Sequence, residues 1–342
     1  MKLVLVSDAW APQVNGVVRT LATTVERLRA RGVEVETVTP DGFATIPCPS
    51  YPEIRLALAP AGGVRRRLEA ADPNAVHIAT EGPLGWAARR WCIKRDMPFT
   101  TSFHTRFPEY VSVRTGLPPS IFWAGLRRFH KPARRVLVAT PTIEGELREK
   151  GFNRLHRWTR GVDLRLFRPE GARLQEMERL PGPVLLYVGR VAPEKNIEAF
   201  LTLETAGTKV VVGDGPALAK LSRRFPEVTF LGPLQGERLA SAYRSADVFV
   251  FPSRTDTFGL VVIEALACGT PVAAYPVPGP ADIIGDSAVG ALDEDLGRAI
   301  ERALRLDRHA CAAFGARFDW EHCTSQFLDA LNVRPQCVGA DR

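Results

Sequence analysis

The sequence contains no hydrophobic run long enough to cross a membrane, which takes roughly 18 apolar residues. It opens MKLVLVSDAW, and this short apolar stretch predicts a first β-strand, because a signal peptide needs a longer apolar core and a small-residue cleavage site. No segment is low in complexity. The 342 residues are 45% hydrophobic and 24% charged, which is a globular composition. The length exceeds one ordinary core, so we expect two domains.

Cysteine is sparse, and no two cysteines form a CxxC pair. This scatter argues against a zinc site or a disulfide framework and favours a reducing cytoplasm. The GxGxxG fingerprint of dinucleotide-binding proteins is absent as well. The six cysteines are Cys48, Cys92, Cys268, Cys311, Cys323 and Cys337.

Acidic residues are few in the first half of the chain. Residues 1–165 carry 26 Lys and Arg against 15 Asp and Glu, whereas residues 166–342 carry 19 against 23. A basic half favours nucleic acid, an anionic membrane face or an acidic substrate. A solvated arginine-rich surface is the alternative, and the composition does not choose between them.

Short β-branched segments alternate with helical patterns along the chain. Most of the segments are continuously apolar, as expected for strands that are covered on both faces. Strand-helix alternation predicts parallel sheets with right-handed crossovers. Two such series predict an α/β fold of two doubly wound domains. The first series is KLVLVS, VEVETVT, EIRLAL, AVHIAT, PFTTSF and RVLVAT, and the second is VLLYVGR, KVVVGDG, VTFLG, DVFVFPS and PVAAYP.

A stretch rich in Pro, Gly and charge, GVDLRLFRPEGARLQEMERLPGP, follows the last strand of the first series. We therefore expect one domain over residues 1–165 and a second over 166–318. The tail, 319–342, contains FDWEHCTSQFLDAL, which predicts a helix that returns toward the first domain. Doubly wound domains bind ligands at the carboxyl ends of their strands, so a cleft between the domains would face both edges.

Two features of the first domain follow strands. Pro12 and Gly16 bracket a loop that leads into a helix, where free backbone N–H groups and the helix dipole can meet an anion. An ordinary βα turn also accounts for a single glycine. His104 follows the strand in TSFHTRF, which places it at the carboxyl edge of the sheet. A structural histidine is the alternative there.

Two cations follow the first strand of the second domain. Arg190 and Lys195 lie in LLYVGRVAPEKNIEAF, beside a helix start. Such a pair suits a diphosphate, with arginine as a fork and lysine as a point charge. A solvated loop would explain the charges but not their position at a strand end. VVVGDGP adds a glycine turn at Gly213, after the next strand.

Two acids lie eight positions apart in SRTDTFGLVVIEALACG. Asp256 is in a loop, and Glu264 is inside an apolar helix, so we expect Glu264 to be buried and partnered. The amides of Phe258, Gly259 and Leu260 would begin that helix, where an anion or a sugar hydroxyl can bind. The alternatives are that Asp256 only caps the helix and that Glu264 faces solvent.

Taken together, GRxxxEKN, the PS-x-x-D/E-x-x-G-x-x-x-x-E-A segment, the histidine of SFHT and the VNGV loop resemble glycosyltransferase family 4 over nearly the whole chain. PQVNGVVRT and TSFHTRFPEYV resemble most the branch with sulfoquinovosyl-, glucosyl- and glucuronosyl-diacylglycerol synthases and phosphatidylinositol mannosyltransferases. The resemblance implies the GT-B fold, in which two Rossmann-like domains face a cleft. It also implies a retaining hexosyltransferase that uses a nucleotide sugar.

The resemblance further implies an acceptor-side first domain and a second domain that binds the nucleotide sugar. The backbone at Gly16 would approach the donor diphosphate, which Arg190 and Lys195 would clamp. His104 would contact the transferred sugar near its reacting carbon. One departure is the single glycine of the first loop, where some members have two or three.

The remaining implied contacts lie in the second domain. Asp256 and the amides of Phe258, Gly259 and Leu260 would hold sugar hydroxyls or phosphate oxygens. Glu264 would hold the ribose diol. The base pocket would lie around residues 232–235, with Leu234 in it, and around residues 213–215, with Gly213. Many members have Glu where this chain has Asp256, which could alter the choice of donor sugar.

The implied chemistry needs positive charge near the leaving diphosphate. Arg190, Lys195 and helix-start amides supply it, and each such group can lower the barrier by roughly 3 kcal/mol. Retention is expected through front-face attack, with the leaving phosphate taking the acceptor proton. No DxD-type metal motif stands at a strand end, so we expect no essential metal and no cofactor.

A basic segment of the first domain bears on which acceptor the enzyme uses. PPSIFWAGLRRFHKPARR is basic and aromatic, and such a segment can lie in an anionic membrane interface; a core-packed helix with a solvated basic end is the alternative. The membrane interpretation predicts a peripheral protein on the inner face of the cell membrane. A lipid acceptor such as diacylglycerol follows from this interpretation. The donor is expected to be of the UDP-glucose or UDP-glucuronate type. A GDP-mannose-dependent mannosyltransferase acting on a phosphatidylinositol-type lipid or a polysaccharide is the alternative.

Other functions remain open on the sequence. A nucleic-acid-binding protein would show a helix-turn-helix or an aromatic and basic sheet face, and neither is evident. A GT-B epimerase would need no acceptor, and a phosphorylase would need a cofactor lysine motif that is not found. A soluble transferase acting on a polysaccharide or a small polyol is a further possibility.

Overall fold

The computed structural model describes residues 1–13, 15–48, 51–104 and 118–331. It forms two compact units: Met1–Thr159 with residues 321–331, and Arg160–Trp320. The predicted boundaries lie after residues 165 and 318, so the division falls slightly earlier at the first crossing and slightly later at the second. Among the described residues, no helix combines the length and the apolar character needed to cross a bilayer.

Unit 1 is built on a parallel sheet. The strands of unit 1 are β1 (Lys2–Val6), β2 (Glu34–Val38), β3 (Thr45–Cys48), β4 (Tyr51–Ala57), β5 (Ala75–Ile78), β6 (Phe99–Ser102), β7 (Arg135–Val138) and β8 (Leu155–Arg157). Its helices are α1 (Gly16–Ala30), α2 (Ala61–Ala71), α3 (Pro83–Lys94), α4 (Pro119–His130) and α5 (Pro141–Glu149), and the last helix, α14 (Trp320–Leu331), belongs to it from residue 321 on.

The sheet of unit 1 has the strand order β2-β1-β5-β6-β7-β8, with every pair parallel. The order reverses between β1 and β5, which makes that point the topological switch where doubly wound folds bind ligands. The predicted strand EIRLAL forms part of β4, but β4 pairs antiparallel with β3 in a separate hairpin. The expectation that this segment joins the parallel sheet is therefore wrong.

Helix α1 shows how the sequence sets the edge of unit 1. Asn15 precedes it, and its side chain accepts from the backbone amides of Val17 and Val18, both at 3.0 Å. A capping bond of this kind stabilises a helix start by about 1 kcal/mol. The helix ends one turn after Arg27, and Gly32 then takes a left-handed backbone, φ +78°. The loop that sequence patterns single out thus leads into a capped helix.

Unit 2 holds the second parallel sheet, in the order β11-β10-β9-β12-β13-β14. Its strands are β9 (Val184–Val188), β10 (Thr208–Val212), β11 (Thr229–Gly232), β12 (Val248–Phe251), β13 (Val272–Ala274) and β14 (Gly290–Leu292). Its helices are α6 (Gln175–Glu178), α7 (Ile197–Leu201), α8 (Leu218–Arg224), α9 (Gly236–Ser245), α10 (Leu260–Ala267), α11 (Pro280–Ile284), α12 (Leu296–Ala303) and α13 (Arg308–Gly315), with a 3₁₀ turn at Pro193–Lys195.

This order is that of a doubly wound dinucleotide fold, with the switch point between β9 and β12. The two strands pair in parallel through Val248 with Leu185 and Phe249 with Leu186. All five residues of β9 are buried, as its continuously apolar sequence predicts. The carboxyl ends of β9 and β12 therefore meet at one place on the edge of unit 2, and the segments that follow them form a site.

Candidate active site

The clearest contact at the switch point of unit 2 joins the two segments that follow β9 and β12. Lys195 ends the 3₁₀ turn after β9, and Asp256 lies in the loop after β12. The Lys195 Nζ atom is 2.5 Å from Asp256 Oδ1, and both side chains are mostly buried. The lysine predicted for a diphosphate and the acid predicted for a sugar are thus one ion pair.

The second oxygen of Asp256 is different. Asp256 Oδ2 is buried and makes no hydrogen bond to the described residues. Buried carboxylate oxygens nearly always have a partner, so an orphaned one at a switch point indicates a place for a ligand donor. A sugar hydroxyl is a group of that kind. The alternative that Asp256 caps helix α10 is wrong, because no side chain caps that helix.

Arg190 follows β9 directly and is the more exposed of the two cations. Its side chain is 37% exposed, and its Nε atom lies 3.9 Å from Glu194 Oε1. The hydroxyl of the buried Tyr187 donates to the Arg190 carbonyl at 2.7 Å, and burial raises the pKa of that phenol far above its usual range. The Tyr187 hydroxyl therefore fixes the backbone of Arg190, while the guanidinium reaches solvent.

The glycine turns lie beside these cations. The Gly189 amide donates to the Val212 carbonyl at 3.0 Å, and the Gly213 amide donates to the Gly232 carbonyl at 2.9 Å. A Cβ atom on Gly213 would lie 1.9 Å from the Gly189 carbonyl oxygen. The backbone segments after β9, β10 and β11 are thus in direct contact. Leu234 lies further out, half-buried in the loop after β11, two strands away from β9.

Helix α10 completes the edge of unit 2. Phe258 is buried, and Gly259 occupies the cap position with a left-handed φ of +91°. Leu260 is the first helical residue. The amides of this first turn have no helical acceptors before them and remain suited to phosphate or hydroxyl oxygens, which is the arrangement that the sequence predicts.

Glu264 lies inside that helix and is 2% exposed. Its Oε2 atom accepts a hydrogen bond from the Tyr243 hydroxyl at 3.0 Å. The prediction that this carboxylate is buried and partnered is therefore confirmed, and the alternative that it faces solvent is wrong. Tyr243 belongs to α9 and could not be singled out from the sequence, because nothing in YRSADVF marks its hydroxyl as a partner.

The predicted residues of unit 1 lie at its own carboxyl edge. His104 follows β6 as expected, and its ring lies edge-on to Trp158, with centroids 5.9 Å apart. Trp158 is fully buried and also packs against Phe327 of α14, so the last helix supports the wall behind His104. Gly16 is exposed and is the first residue of α1. Asn15, which caps that helix, was a helix-start signal that the sequence patterns already contained.

The basic and aromatic segment forms helix α4, with its largest side chains turned inward. Trp123 and Phe129 are buried, and Trp123 stacks on Phe103 with ring centroids 6.0 Å apart. The interpretation that these aromatic rings face a membrane is wrong. Arg127 and Arg128 remain exposed, as does Ile121, at 56%, so the outer face is basic with one aliphatic side chain.

The described cysteines are all free thiols, in agreement with the scatter of cysteine in the sequence. In the part of the chain that the structure describes, no group of three or more His, Cys, Asp or Glu side chains could hold a metal ion. Burial raises the pKa of Cys92 and of Cys268 to about 12. Neither thiol is therefore set up as a nucleophile at neutral pH.

Comparison with known proteins decides the family. The model of Glycosyltransferase Family 4 matches residues 14–166, and that of Glycosyl transferases group 1 matches residues 182–306. A GDP-mannose-dependent alpha-mannosyltransferase of Mycobacterium tuberculosis is 33% identical over 85% of this chain and 83% of its own length. This chain belongs to glycosyltransferase family 4. The resemblance seen in the motifs is confirmed.

Two further relatives show the breadth of glycosyltransferase family 4 around this chain. A sulfoquinovosyl transferase of Arabidopsis thaliana is 34% identical over 73% of this chain and 52% of its own length. A D-inositol 3-phosphate glycosyltransferase of Mycolicibacterium smegmatis is 29% identical over 74% of this chain and 65% of its own length. The family-4 chain described here is therefore a hexosyltransferase, and it is of the retaining type.

Solved structures show the fold of this family-4 enzyme. Sucrose-phosphate synthase from Thermosynechococcus elongatus superposes with a TM-score of 0.75 at 24% identity, over 96% of this chain and 97% of the other. Anabaena HepE, crystallised with UDP and glucose, superposes with a TM-score of 0.73 at 16% identity, over 98% of this chain and 100% of the other. The predicted α/β GT-B fold is confirmed.

Proposed function

We propose that this enzyme transfers a hexosyl group from a nucleotide sugar to a lipid hydroxyl, with the donor diphosphate held by Arg190 and Lys195. The observation that carries the proposal is the Lys195–Asp256 pair, with its unpartnered carboxylate oxygen, at the switch point of unit 2. A cation for the phosphates and an acceptor for a sugar hydroxyl stand side by side there. A nucleotide sugar requires both groups at once.

The contacts proposed for the donor follow from this arrangement. Phosphate oxygens approach Arg190, Lys195 and the first amides of α10, while Asp256 Oδ2 accepts from a sugar hydroxyl. Glu264, which Tyr243 holds in place, accepts from the ribose diol. The base lies toward residues 213–215 and 232–235, where Gly213 keeps the strand ends close and Leu234 offers an apolar side.

The reaction proposed is a front-face displacement with retention. The bond between the anomeric carbon and the phosphate oxygen breaks, and the departing diphosphate takes the proton of the acceptor hydroxyl as the new glycosidic bond forms. His104 contacts the transferred sugar, and the Gly16 backbone contacts the diphosphate. Arg190 and Lys195 offset the charge on the leaving group. We therefore propose that the enzyme needs no metal or other cofactor.

Three relatives named GDP-mannose-dependent alpha-mannosyltransferase, 29–33% identical over 85–97% of this chain, favour GDP-mannose as the donor. UDP-glucose and UDP-glucuronate, which the motifs favour, stay predictions. The sulfoquinovosyl transferase among the relatives supports a third sugar. We place GDP-mannose first because its support comes from the more complete matches.

Thermal melting with each nucleotide sugar tests this ranking of donors. GDP-mannose should raise the melting temperature by a few °C, because a ligand present at 100 times its Kd stabilises the folded state by about 2.7 kcal/mol. UDP-glucose, UDP-glucuronate and ADP-glucose should shift it less. Each melt is repeated with EDTA, which should change nothing, and with Arg190→Ala/Lys195→Ala, which should abolish the shift. A wild-type protein that no nucleotide sugar stabilises would contradict the proposal.

We propose further that unit 1 contacts an anionic membrane surface through exposed arginines, which would bring a lipid acceptor to the enzyme and keep it peripheral on the cytoplasmic face. The support is the charge excess of residues 1–165 and the outer face of α4, where Arg127 and Arg128 are exposed beside Ile121. Nothing in this arrangement suits nucleic acid better, since no aromatic and basic sheet face accompanies it among the described residues.

Vesicle sedimentation tests the membrane surface. Arg127→Ser/Arg128→Ser should weaken binding to phosphatidylglycerol-containing vesicles about tenfold or more, because each basic residue near such a surface contributes about 1 kcal/mol. Arg298→Ser/Arg302→Ser, an exposed pair on α12 of unit 2, is the matched control and should bind as the wild type does. Added salt should weaken wild-type binding. Equal binding by both double variants would count against this surface.

A further inference from the structure

The switch point of unit 1 carries two carboxylates that the donor site does not use. β1 and β5 are neighbours there, Asp8 follows β1, and Glu81 follows β5. His104 follows β6, the next strand along. Doubly wound sheets bind ligands outside the carboxyl ends of the strands at this point. The two acids and the histidine therefore lie on adjacent strand ends of one edge.

The carboxylate of Asp8 makes its hydrogen bonds within the protein. Its carboxylate accepts from the backbone amides of Leu84 at 2.9 Å and Gly85 at 3.3 Å, and from the Thr80 hydroxyl at 2.9 Å. These bonds satisfy the start of helix α3 and join it to β1. Asp8 is buried and needs no ligand to explain its position.

Glu81 has a different environment. Its side chain is 11% exposed, and its Oε1 atom lies 3.2 Å from Nε2 of His130. Within the described part of unit 1, the hydrogen bond of this carboxylate is the one between Oε1 and His130, and Oε2 makes none. One carboxylate oxygen is thus anchored, and the residue itself follows β5 at the carboxyl edge of the sheet.

His130, which anchors Glu81, is itself held by hydrogen bonding and packing. The His130 side chain is 1% exposed, and its Nδ1 atom lies 2.8 Å from the Thr101 hydroxyl on β6. Its ring also packs against Phe129 and Phe152. Burying a polar side chain is unfavourable unless its bonds are made, and here both ring nitrogens are used. The chain from Thr101 through His130 fixes one orientation of the Glu81 carboxylate.

We propose that Glu81 binds the acceptor by receiving a hydrogen bond from a hydroxyl of its headgroup, and that His130 is the residue that positions Glu81. The inference rests on the proposed function, since it assigns the acceptor side of the same reaction. The proton of the reacting hydroxyl leaves with the donor phosphate, so Glu81 accepts a hydrogen bond and exchanges no proton.

The chemistry of the headgroup follows. A carboxylate accepts from hydroxyls and repels phosphate, because like charges in a partly buried site are unfavourable. The acceptor that Glu81 selects is therefore a neutral headgroup with a second hydroxyl besides the reacting one, such as a sugar attached to a diacylglycerol. A headgroup phosphorylated near the reacting hydroxyl is disfavoured.

The test compares acceptor kinetics with donor affinity in four variants. With the nucleotide sugar that stabilises the wild type, Glu81→Gln and His130→Asn should raise the KM for glucosyl-dioctanoylglycerol about tenfold or more, the range expected for a hydrogen bond to a charged group. His130→Gln keeps an N–H within reach of Glu81 and should stay within about threefold. Glu36→Gln is the matched control, since Glu36 is an exposed carboxylate on β2 that pairs with Lys2 of β1.

Donor affinity separates positioning from general damage. The donor-induced shift in melting temperature should be the same in all four variants. An unchanged KM in Glu81→Gln, a loss of donor affinity together with the KM effect, or a wild-type preference for dioctanoyl-phosphatidylinositol would overturn the inference. If instead no nucleotide sugar stabilises the wild type, the proposed function fails, and that result is separate from any behaviour of Glu81.

Discussion

Replacing Arg190 or Lys195 with alanine should lower kcat for sugar transfer by about two to three orders of magnitude, the loss measured when one charge-stabilising donor is removed from an active site. Both cations lie after β9, Arg190 before the short 3₁₀ turn and Lys195 as its last residue. The leaving diphosphate gains charge as the sugar departs, so each cation acts more strongly on the transition state than on the bound donor. Steady-state kinetics with GDP-mannose and glucosyl-dioctanoylglycerol measure the effect.

Stability should change little in these variants. The side chains are 37% and 27% exposed, and partly solvated ion pairs contribute little to folding. Arg190→Lys should recover only part of the rate, because a point charge cannot replace the bidentate fork. Arg224→Ala is the matched control, since Arg224 forms an exposed ion pair with Glu198 on the same unit, and it should keep wild-type kinetics.

Lys195→Ala has a second consequence that Arg190→Ala lacks. It leaves Asp256 without its ion-pair partner and so disturbs the proposed sugar contact as well as the phosphate contact. Lys195→Ala/Asp256→Asn should therefore be much less damaging than the two single losses added together. Wild-type turnover in both alanine variants would show that the diphosphate is held elsewhere and would remove the basis of the proposed function.

The features that depend on a single segment of the chain could be predicted from the sequence. The buried strand β9, the capped helix α1 and the burial of Glu264 each follow from apolar character within a few neighbouring residues. The placement of Arg190, His104 and Asp256 after strands follows in the same way. Since parallel strands expose their carboxyl ends at one edge, the order of segments was enough to place these side chains at the edges of the two sheets.

What the sequence could not show are the partners that come from distant segments. The contact of Lys195 with Asp256 spans 61 positions, and that of His130 with Glu81 spans 49. No local pattern distinguishes a lysine free for phosphate from one already bonded to a carboxylate. The sequence left the inward turn of Trp123 open as one of two alternatives for a related reason, because a helix with both aromatic and basic residues does not reveal which of its sides is covered.

The largest effect on stability is expected from Gly213→Ala. A Cβ atom there would lie 1.9 Å from the Gly189 carbonyl oxygen, and the backbone has φ +141°. Both groups are main chain at adjacent strand ends, so neither can move without breaking the bonds between the segments after β9 and β10. We expect unit 2 to lose about 2–5 kcal/mol, from overpacking by roughly 1–3 kcal/mol and left-handed strain by roughly 1–2 kcal/mol.

Gly232→Ala is the matched comparison. Gly232 also has a positive φ, +70°, but a Cβ atom there would meet nothing within 4 Å, so only the strain of about 1–2 kcal/mol should appear. Denaturant unfolding followed by circular dichroism measures both changes. The Cβ atom added by Gly213→Ala would press on Gly189, the residue before Arg190. This variant should therefore also lose donor affinity under conditions where it remains folded. Equal destabilisation by the two substitutions would mean that the strand ends are not in contact as described.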